Sequence, residues 1–578
     1  MMVRGIPASP GYAIGRARVI RADTLPQSSA RIEESSVSDE LERLDEAMKR
    51  SEEDLLQLHA KWLRENREEE ADIFEGHLFL LRDEELQALI RSKVIDELLS
   101  AESAVLQAAE EIAVRLSRLD DSYLRMRAAD IRDVGNRTYR HLTNAGRFEL
   151  SAVYESEILI AQDLLPSFTA QLDAAAVAGF ATSLGGAASH TAIIARSLGL
   201  PAIVGVGDSL GQVMDGQLVI LDGVAGTMVI HPPEDEIERY NRLRDSYYDK
   251  MNMLRSYIDR PTVTRDGQTV TLTTNIGSVK DALLAKQQGS EGIGLFRTEF
   301  LFMEREDLPD EEEQFRVYRE VIDAVGPESP VIIRTMDIGG DKELPALNLP
   351  KEENPFLGFR AIRLSLERED LFRTQLRAVL RASAFGNVSM MFPMIATLQE
   401  WERATAVLRQ ASAELSEEGI PYNPAIEVGI MIEVPAAAMM AARFAKVVDF
   451  FSIGTNDLVQ YTMAADRMNS KVAHLNDPMQ PAVLKLIYDV IQAALAEGKP
   501  VGMCGEMAGQ TLAVPILLGM GLRKFSIHGG AIASTRELIS RIDISESREL
   551  VERVLEMDHP DAIKSHIEGW LTSRNSAV

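Results

Sequence analysis

Glu427-Val428-Gly429-Ile430-Met431-Ile432-Glu433 is a short apolar run closed by a carboxylate, and it reads as a strand ending on a polar residue. The pattern recurs through the C-terminal half of the chain, with strand candidates at 270–274, 292–295, 331–335, 389–393, 451–453, 500–503 and 524–527. Most are followed by a helical stretch of ordinary length. About eight strand–helix units over such a span are the arithmetic of a (β/α)8 TIM barrel. An open doubly wound sheet is the competing arrangement, and periodicity alone does not separate the two.

In a barrel, chemistry lies at the C-terminal ends of the strands. Polar residues fall there repeatedly: Asn275, Arg297, Arg334 with Asp337, Glu433, Asn456 with Asp457, and Cys504 with Glu506, while Arg467 comes a little later. A lone arginine at such a place is usually a surface residue or half of a local ion pair. Together, however, the residue types make chemical sense. Arginine forks bind phosphate or carboxylate bidentately. Glu433 and Asp457 suffice for Mg2+ when substrate oxygens and water complete the octahedron. A thiol of ordinary pKa, about 8.5, is protonated at neutral pH, which makes Cys504 a candidate proton donor; the plainer reading is a small buried hydrophobe. The expected ligand is a small, doubly anionic molecule held with a divalent metal.

Upstream, Pro232-Pro233 followed by Glu234, Asp235 and Glu236 opens a charged helical stretch that ends near Pro261. Apolar on little of its surface, it suits a connector between domains that move. Before it, strand candidates at 157–161, 179–182, 202–206 and 218–221 alternate with turns and short helices, as in a small α/β domain. Within that domain stands Gly185-Gly186-Ala187-Ala188-Ser189-His190-Thr191-Ala192-Ile193-Ile194-Ala195-Arg196. Ser189 is a good N-cap, Ile193, Ile194 and Leu198 give a buried stripe, and Gly199 with Pro201 stops the helix. His190 then sits in the first turn, where unpaired backbone N–H groups favour an anion, so its imidazole could carry a phosphoryl group. A loop-to-helix junction with an incidental histidine is the bland alternative.

From 36 to 142 the pattern is helical throughout. Leu41, Leu44, Met48, Leu55 and Leu58 recur at helical spacing, the exposed faces are acidic, and Gly76 and Gly135 are the exceptions to a near absence of glycine and proline. Strand-like segments in the first 22 residues are expected to complete the sheet of the small domain, which makes the helical bundle an insertion. The expected fold is multidomain α/β. It consists of a swivelling phosphohistidine α/β domain (1–22 and 146–231), an inserted all-α bundle (23–145), a helical linker (232–261) and a C-terminal TIM barrel (262–578).

Composition narrows the classes further. Across 578 residues, 46% are hydrophobic and 26% charged, normal for a soluble globular protein. A single cysteine excludes an internal disulfide and any cysteine-rich metal site. No apolar run reaches the roughly 18 residues of a membrane helix and none is flanked like a signal peptide, so a cytoplasmic location is expected. A net charge of -28 argues against a nucleic-acid partner and favours a basic partner or none.

The segment around His190, with Ala195-Arg196-Ser197 and Leu200-Pro201-Ala202-Ile203-Val204-Gly205, resembles the phosphohistidine segment of phosphoenolpyruvate-utilising enzymes. The barrel stretches resemble enzyme I of the bacterial sugar phosphotransferase system. They include Gly292-Ile293-Gly294-Leu295-Phe296-Arg297, Arg334-Thr335-Met336-Asp337-Ile338-Gly339-Gly340-Asp341-Lys342, Asn354-Pro355-Phe356-Leu357-Gly358, Ile453-Gly454-Thr455-Asn456-Asp457-Leu458 and Cys504-Gly505-Glu506-Met507-Ala508. In the helical region Glu75-Gly76-His77-Leu78 and Ala129-Asp130-Ile131-Arg132-Asp133-Val134-Gly135 also match.

The resemblance implies that His190 is phosphorylated, with Thr169 as its hydrogen-bond partner. It implies that Arg297, Arg334, Asn456 and Arg467 hold phosphoenolpyruvate, with Asp457 among the contacts and Arg360 nearby. Glu433 and Asp457 become the Mg2+ ligands and Cys504 the acid that protonates the pyruvate enolate. It further implies that the bundle receives the small histidine-containing phosphocarrier protein HPr, that the barrel forms a homodimer, and that the pathway serves sugar uptake.

Two departures stand out. Ala187-Ala188 replaces the hydroxyl-bearing residue usual before the Ser-His pair, and Ser526-Ile527-His528-Gly529-Gly530 replaces a serine-rich turn, with His528 read as a loop variant. Two rivals are a pyruvate phosphate dikinase or phosphoenolpyruvate synthase, and a non-catalytic interaction protein. The acidic helical region has no Gly-rich phosphate loop for the ATP that the first needs, and the intact arginine, carboxylate and cysteine set argues against the second.

Overall fold

The structure, a computed structural model, describes residues 1–20, 30–64, 68–118, 122–143, 157–164, 177–186, 189–303, 305, 307–339, 347, 352–469 and 471–575. It falls into two compact units, Met1–Lys250 and Met251–Val578.

In the first unit, β1 (Met2–Arg4), β2 (Ile6–Ser9) and β3 (Tyr12–Ile20) share one sheet with five later strands. These are β4 (Glu157–Ala161), β5 (Val177–Thr182), β6 (Ala202–Val204), β7 (Leu218–Asp222) and β8 (Thr227–Ile230). The order is β1-β8-β7-β3-β4-β5-β6-β2. β3 to β6 run parallel, with Arg16 opposite Glu157 and Ile160 opposite Ala181, while antiparallel strands finish both edges. Because the chain leaves the sheet after β3 and re-enters at β4, what lies between is an insertion, as the sequence implied. Ile158, Leu159, Ile160, Phe180 and Ile203 are fully buried, as expected of parallel strands covered on both faces.

Among the described residues the insertion holds five α-helices: α1 (Val37–Arg64), α2 (Glu68–Leu81), α3 (Glu84–Ile95), α4 (Ala101–Ser117) and α5 (Ser122–Thr143). α1 buries Leu44, Met48 and Leu55 on one face, with Leu41 and Leu58 packed at its edge. Asp83 and Ser100 cap α3 and α4 by accepting from the N–H of Leu86 and Ser103. The two glycines conspicuous in the sequence mark close approaches. A Cβ at Gly135 would stand 2.6 Å from the Cβ of Ala109 on α4, and one at Gly76 would stand 2.6 Å from Nη1 of Arg127 on α5. The helix Glu234–Arg255 follows the sheet, buries only Tyr240 and packs that ring with Ile220 and Val229.

In the second unit eight parallel strands close on themselves. They are β9 (Thr271–Ile276), β10 (Ile293–Arg297), β11 (Val331–Arg334), β12 (Val388–Phe392), β13 (Glu427–Ile432), β14 (Phe451–Ile453), β15 (Val501–Met503) and β16 (Lys524–Ile527). β16 pairs with β9, Lys524 opposite Thr271 and Ile527 opposite Thr274, which decides for the barrel against the open sheet. Each barrel strand begins within a residue or two of the start of its apolar run in the sequence.

Gly135 and Gly569 allow a controlled comparison. Alanine normally gains about 0.5–1 kcal/mol over glycine inside a helix. At Gly569, where nothing lies within 4 Å of the added Cβ, that gain should appear. At Gly135 the clash with Ala109 should outweigh it, since overpacking costs about 1–3 kcal/mol. Thermal unfolding of Gly135→Ala and Gly569→Ala should therefore move in opposite directions.

Candidate active site

The barrel strands deliver their polar ends to one cavity of about 420 Å3. Arg297 and Arg334 are the last residues of β10 and β11, Glu433 follows β13, and Cys504 follows β15. Asn456 and Asp457 lie in the first turn of the helix Thr455–Met463, which starts after β14. All of these, together with Arg360 and Arg467, line the cavity. Asn275 does not. It lies within β9, where its Nδ2 donates to the Cys504 carbonyl at 2.9 Å and its Oδ1 accepts from Ser526 Oγ. His528 is also absent from the lining: it is exposed and caps a turn, its Nδ1 accepting from Gly530 N–H at 3.2 Å.

Buried ion pairs hold the arginines in place. Arg334 Nη2 donates to Glu299 Oε1 at 2.7 Å and its Nη1 lies 3.1 Å from Asp337 Oδ2. Arg360 Nη2 donates to Asp337 Oδ1 at 2.8 Å and stands 3.7 Å from Asp457 Oδ2. Burial opposes both guanidinium charges, but the acids facing them outweigh it and raise both pKa values. Glu299 has no role legible from spacing, although it lies just beyond Arg297 in the matching stretch that runs on to Met303. Asn456 bonds twice with Glu506, donating to Oε1 and accepting from the backbone N–H, both at 3.0 Å.

The acids facing this cavity outnumber its arginines. Glu299, Asp337, Glu433, Asp457 and Glu506 line it, against Arg297, Arg334, Arg360 and Arg467. Glu433 is 1% exposed, and its Oε1 accepts from Met394 N–H at 2.6 Å. Burial first, then the charges of Asp457 and Asp337, push its pKa up to about 8. Asp457 Oδ1 is buried and accepts no hydrogen bond, with Arg467 Nη1 3.7 Å away. Two crowded carboxylates with an unsatisfied oxygen suit a divalent cation. Among the described residues no three His, Cys, Asp or Glu side chains form a ready cage, so a bound ion would complete its shell with substrate oxygens and water. Cys504 is 3% exposed, and burial raises its pKa, keeping it a thiol.

The first unit carries the histidine. Ser189 caps the helix His190–Leu198 by accepting from Ala192 N–H, and Gly199, at φ 66°, ends it, as its sequence indicated. His190 Nδ1 stands 3.2 Å from Asp130 Oδ1 on α5. Behind Asp130 lies His77 of α2, fully buried, its Nε2 3.4 Å from the same oxygen and its Nδ1 3.8 Å from Asp133 Oδ2. Arg127 Nη1 donates to the other Asp130 oxygen at 3.4 Å. Burial opposes the Asp130 charge, yet the two imidazoles hold its pKa well below the usual carboxylate range. Thr191 Oγ1 donates to Leu164 O at 3.1 Å. Thr169, Ala187 and Ala188 lie outside the described residues. Neither Asp130 nor His77 has a function legible from spacing, although both fall inside the matching helical strings.

Residues 252–544 match the family model of the PEP-binding domain of PEP-utilising enzymes, 4–127 that of their N-terminal domain and 153–226 that of their mobile domain. Fold and site thus define a phosphoenolpyruvate-utilising enzyme. The chain is 44% identical to the phosphoenolpyruvate-protein phosphotransferase of Bacillus subtilis (strain 168), over 98% of its own length and 99% of that protein's. With the Geobacillus stearothermophilus phosphotransferase it is 46% identical, over 98% and 97%. It is also similar to a solution structure of an Enzyme I protein (nEIt), at 40% identity, covering 43% of this chain and 99% of that one with a TM-score of 0.36. The chain belongs to the phosphoenolpyruvate-protein phosphotransferase family.

The Glu433 pKa has a measurable consequence. A carboxyl raised from 4.5 to about 8 keeps a proton in the native state that the unfolded chain releases between those values. Its contribution to stability is complete below the unfolded value and is lost as pH rises through the folded one. The metal-free protein should therefore lose barrel stability from about 4.5 to about 8, and Glu433→Gln should flatten that slope in denaturant midpoints taken across pH.

Proposed function

We propose that the protein takes the phosphoryl group of phosphoenolpyruvate onto His190 and passes it to a histidine of the small phosphocarrier HPr, the first step of sugar uptake by the phosphotransferase system. The observation that carries this reading is the convergence of four arginines, two crowded carboxylates and a protonated thiol in one cavity at the strand ends.

In this reading Arg297, Arg334 and Arg467 clamp the phosphate and carboxylate, with Asn456 and Arg360 completing the contacts. Glu433 and Asp457 would hold Mg2+, which supplies electrostatic stabilisation of the charge on the transferring phosphoryl group. Asp130 beside Nδ1 favours a proton on that nitrogen and leaves Nε2 as the nucleophile. The P–O bond to the enol oxygen breaks as the P–N bond forms, and Cys504 delivers its proton to C3 of the enolate. Thr169 is proposed as a further partner of His190. The mobile phosphohistidine domain, joined through the linker, lets one histidine serve donor and acceptor in turn.

The bundle offers a place for the acceptor. A groove between its helices exposes Phe79 at 75% and is rimmed by Asp72, Glu75, Asp83 and Glu85, which suits a carrier with an apolar patch ringed by basic groups. A homodimer through the barrel unit, where Leu357, Met439 and Met468 are exposed at 66%, 78% and 71%, is part of the same proposal. No helix among the described residues is long and apolar enough to cross a membrane, in keeping with the proposed cytoplasmic site of action.

Labelled phosphoenolpyruvate with Mg2+ tests the scheme. Acid-labile label should appear on the wild type and be absent from His190→Ala. Asp130→Asn should keep phosphoenolpyruvate binding while slowing labelling roughly 10²-fold, and Cys504→Ala should slow pyruvate release by about 10²–10⁴-fold. Wild-type labelling of His190→Ala would remove the histidine from the reaction.

A further inference from the structure

Two of the cavity arginines share one aromatic ring. The turn Pro355–Leu357, in the loop after β11, places the centre of the Phe356 ring 5.9 Å from the Arg360 guanidinium and 5.5 Å from that of Arg467. Both distances are within reach of a cation–π contact, and a planar guanidinium stacks well on such a face. Arg360 follows Phe356 on the same loop, whereas Arg467 comes from the chain beyond the helix Thr455–Met463. The ring is therefore where two loops from different barrel strands meet.

Tyr461, in that helix, fastens the ring. Its hydroxyl donates to the Phe356 carbonyl and accepts from Arg360 Nη1 at 3.3 Å. The preceding Gln460 is buried, and its Oε1 accepts from the Arg467 backbone N–H at 3.3 Å. Phe356 and Tyr461 lie outside the lining of the cavity at the strand ends and line a neighbouring one of about 500 Å3. Tyr461 thus acts on the site through the arginines.

The same two arginines also lean on Asp457, whose Oδ2 is 3.7 Å from Arg360 Nη2 and whose Oδ1 is 3.7 Å from Arg467 Nη1. Asp457 is proposed as a metal ligand, so part of its charge is committed elsewhere. Tyr461 and Phe356 hold the arginines with no charge of their own. Two cations gathered for one small anion repel each other until it binds. Neutral contacts that fix their spacing remove that freedom beforehand, so less ordering is left for the moment of binding.

We propose that Tyr461 is a positioning residue, holding the Phe356 ring as a shared platform that sets the spacing of Arg360 and Arg467 for a small dianion. The inference rests on the reading of those two arginines as phosphoenolpyruvate ligands.

Two measurements on the full-length enzyme test it. Pyruvate release with phosphoenolpyruvate, Mg2+ and excess HPr gives KM and kcat. Calorimetric titration of phosphoenolpyruvate with Mg2+ in a His190→Ala background gives the affinity without turnover. Tyr461→Phe keeps its ring and removes both hydrogen bonds. It should raise KM and the dissociation constant about 10-fold with kcat within about 3-fold, the signature of binding lost equally from ground and transition states. Phe356→Leu, apolar but without an aromatic face, should do the same, and it stands in should Tyr461→Phe not fold. Phe356→Tyr, which keeps the face, should stay near the wild type. Because both changes act on one platform, the double variant should lose about 10-fold in all, where independent sites would multiply to about 100-fold. An unchanged KM for Tyr461→Phe, full affinity of Phe356→Leu, or multiplicative losses in the double variant would overturn the platform. Arg360→Lys and Arg467→Lys both at the wild-type KM would instead overturn the reading of the two arginines as ligands.

Discussion

The pairing of β16 with β9 turns a parallel sheet into a ring, and the candidate site depends on that closure. A closed sheet has no edge strands, and it gathers the ends of strands distant in sequence onto one rim. Arg297 and Cys504 line the same cavity for this reason alone. The rim then has to carry buried charge. Asp337 faces both Arg334 and Arg360, and Glu299 takes the remaining fork of Arg334. Desolvation of such groups is costly, and their mutual pairing offsets it only with good geometry. The network therefore fixes where the guanidinium groups stand before any ligand arrives, which is what electrostatic preorganisation requires.

The histidine in the first unit is held by similar means. A carboxylate nearly withdrawn from solvent, Asp130, stands between two imidazoles, and Arg127 reaches its second oxygen. Gly76 is part of the same arrangement, because a side chain there would occupy the space that the Arg127 guanidinium uses. In both units a buried acid orients the group proposed to do the chemistry. Ionic pairing inside the protein thus serves position as much as stability.

The periodic part of this design was open to reading from the chain. Strand-length apolar runs ending on Arg297, Arg334, Glu433 and Cys504 announce a rim because a strand's direction and its end are local properties. The Ser189 cap and Gly199 stop were legible for the same reason. The insertion of the bundle followed from strand-like residues before it and after it. Glu299, Ser452 and Asp130 were not legible in this way. Glu299 meets Arg334 across 35 positions, Ser452 meets Cys504 across 52, and Asp130 meets His190 only once the bundle packs on the sheet. Each is an ordinary polar residue until tertiary structure removes its water. Asn275 shows the converse: a polar residue near a strand end that the pleat turns toward the Cys504 carbonyl and away from the cavity.

The contact between Asp130 and His190 bears on the energetics of a phosphorylated intermediate. With the phosphoryl group on Nε2, as proposed, a proton kept on Nδ1 makes the ring cationic and therefore a good leaving group. The same carboxylate that orients the neutral ring for attack would stabilise the positive charge that develops on it as the P–N bond forms, and the ring returns to neutral as the phosphoryl group departs. Formation and departure pass through the same charge distribution, so one acid lowers the barrier in both directions of the transfer.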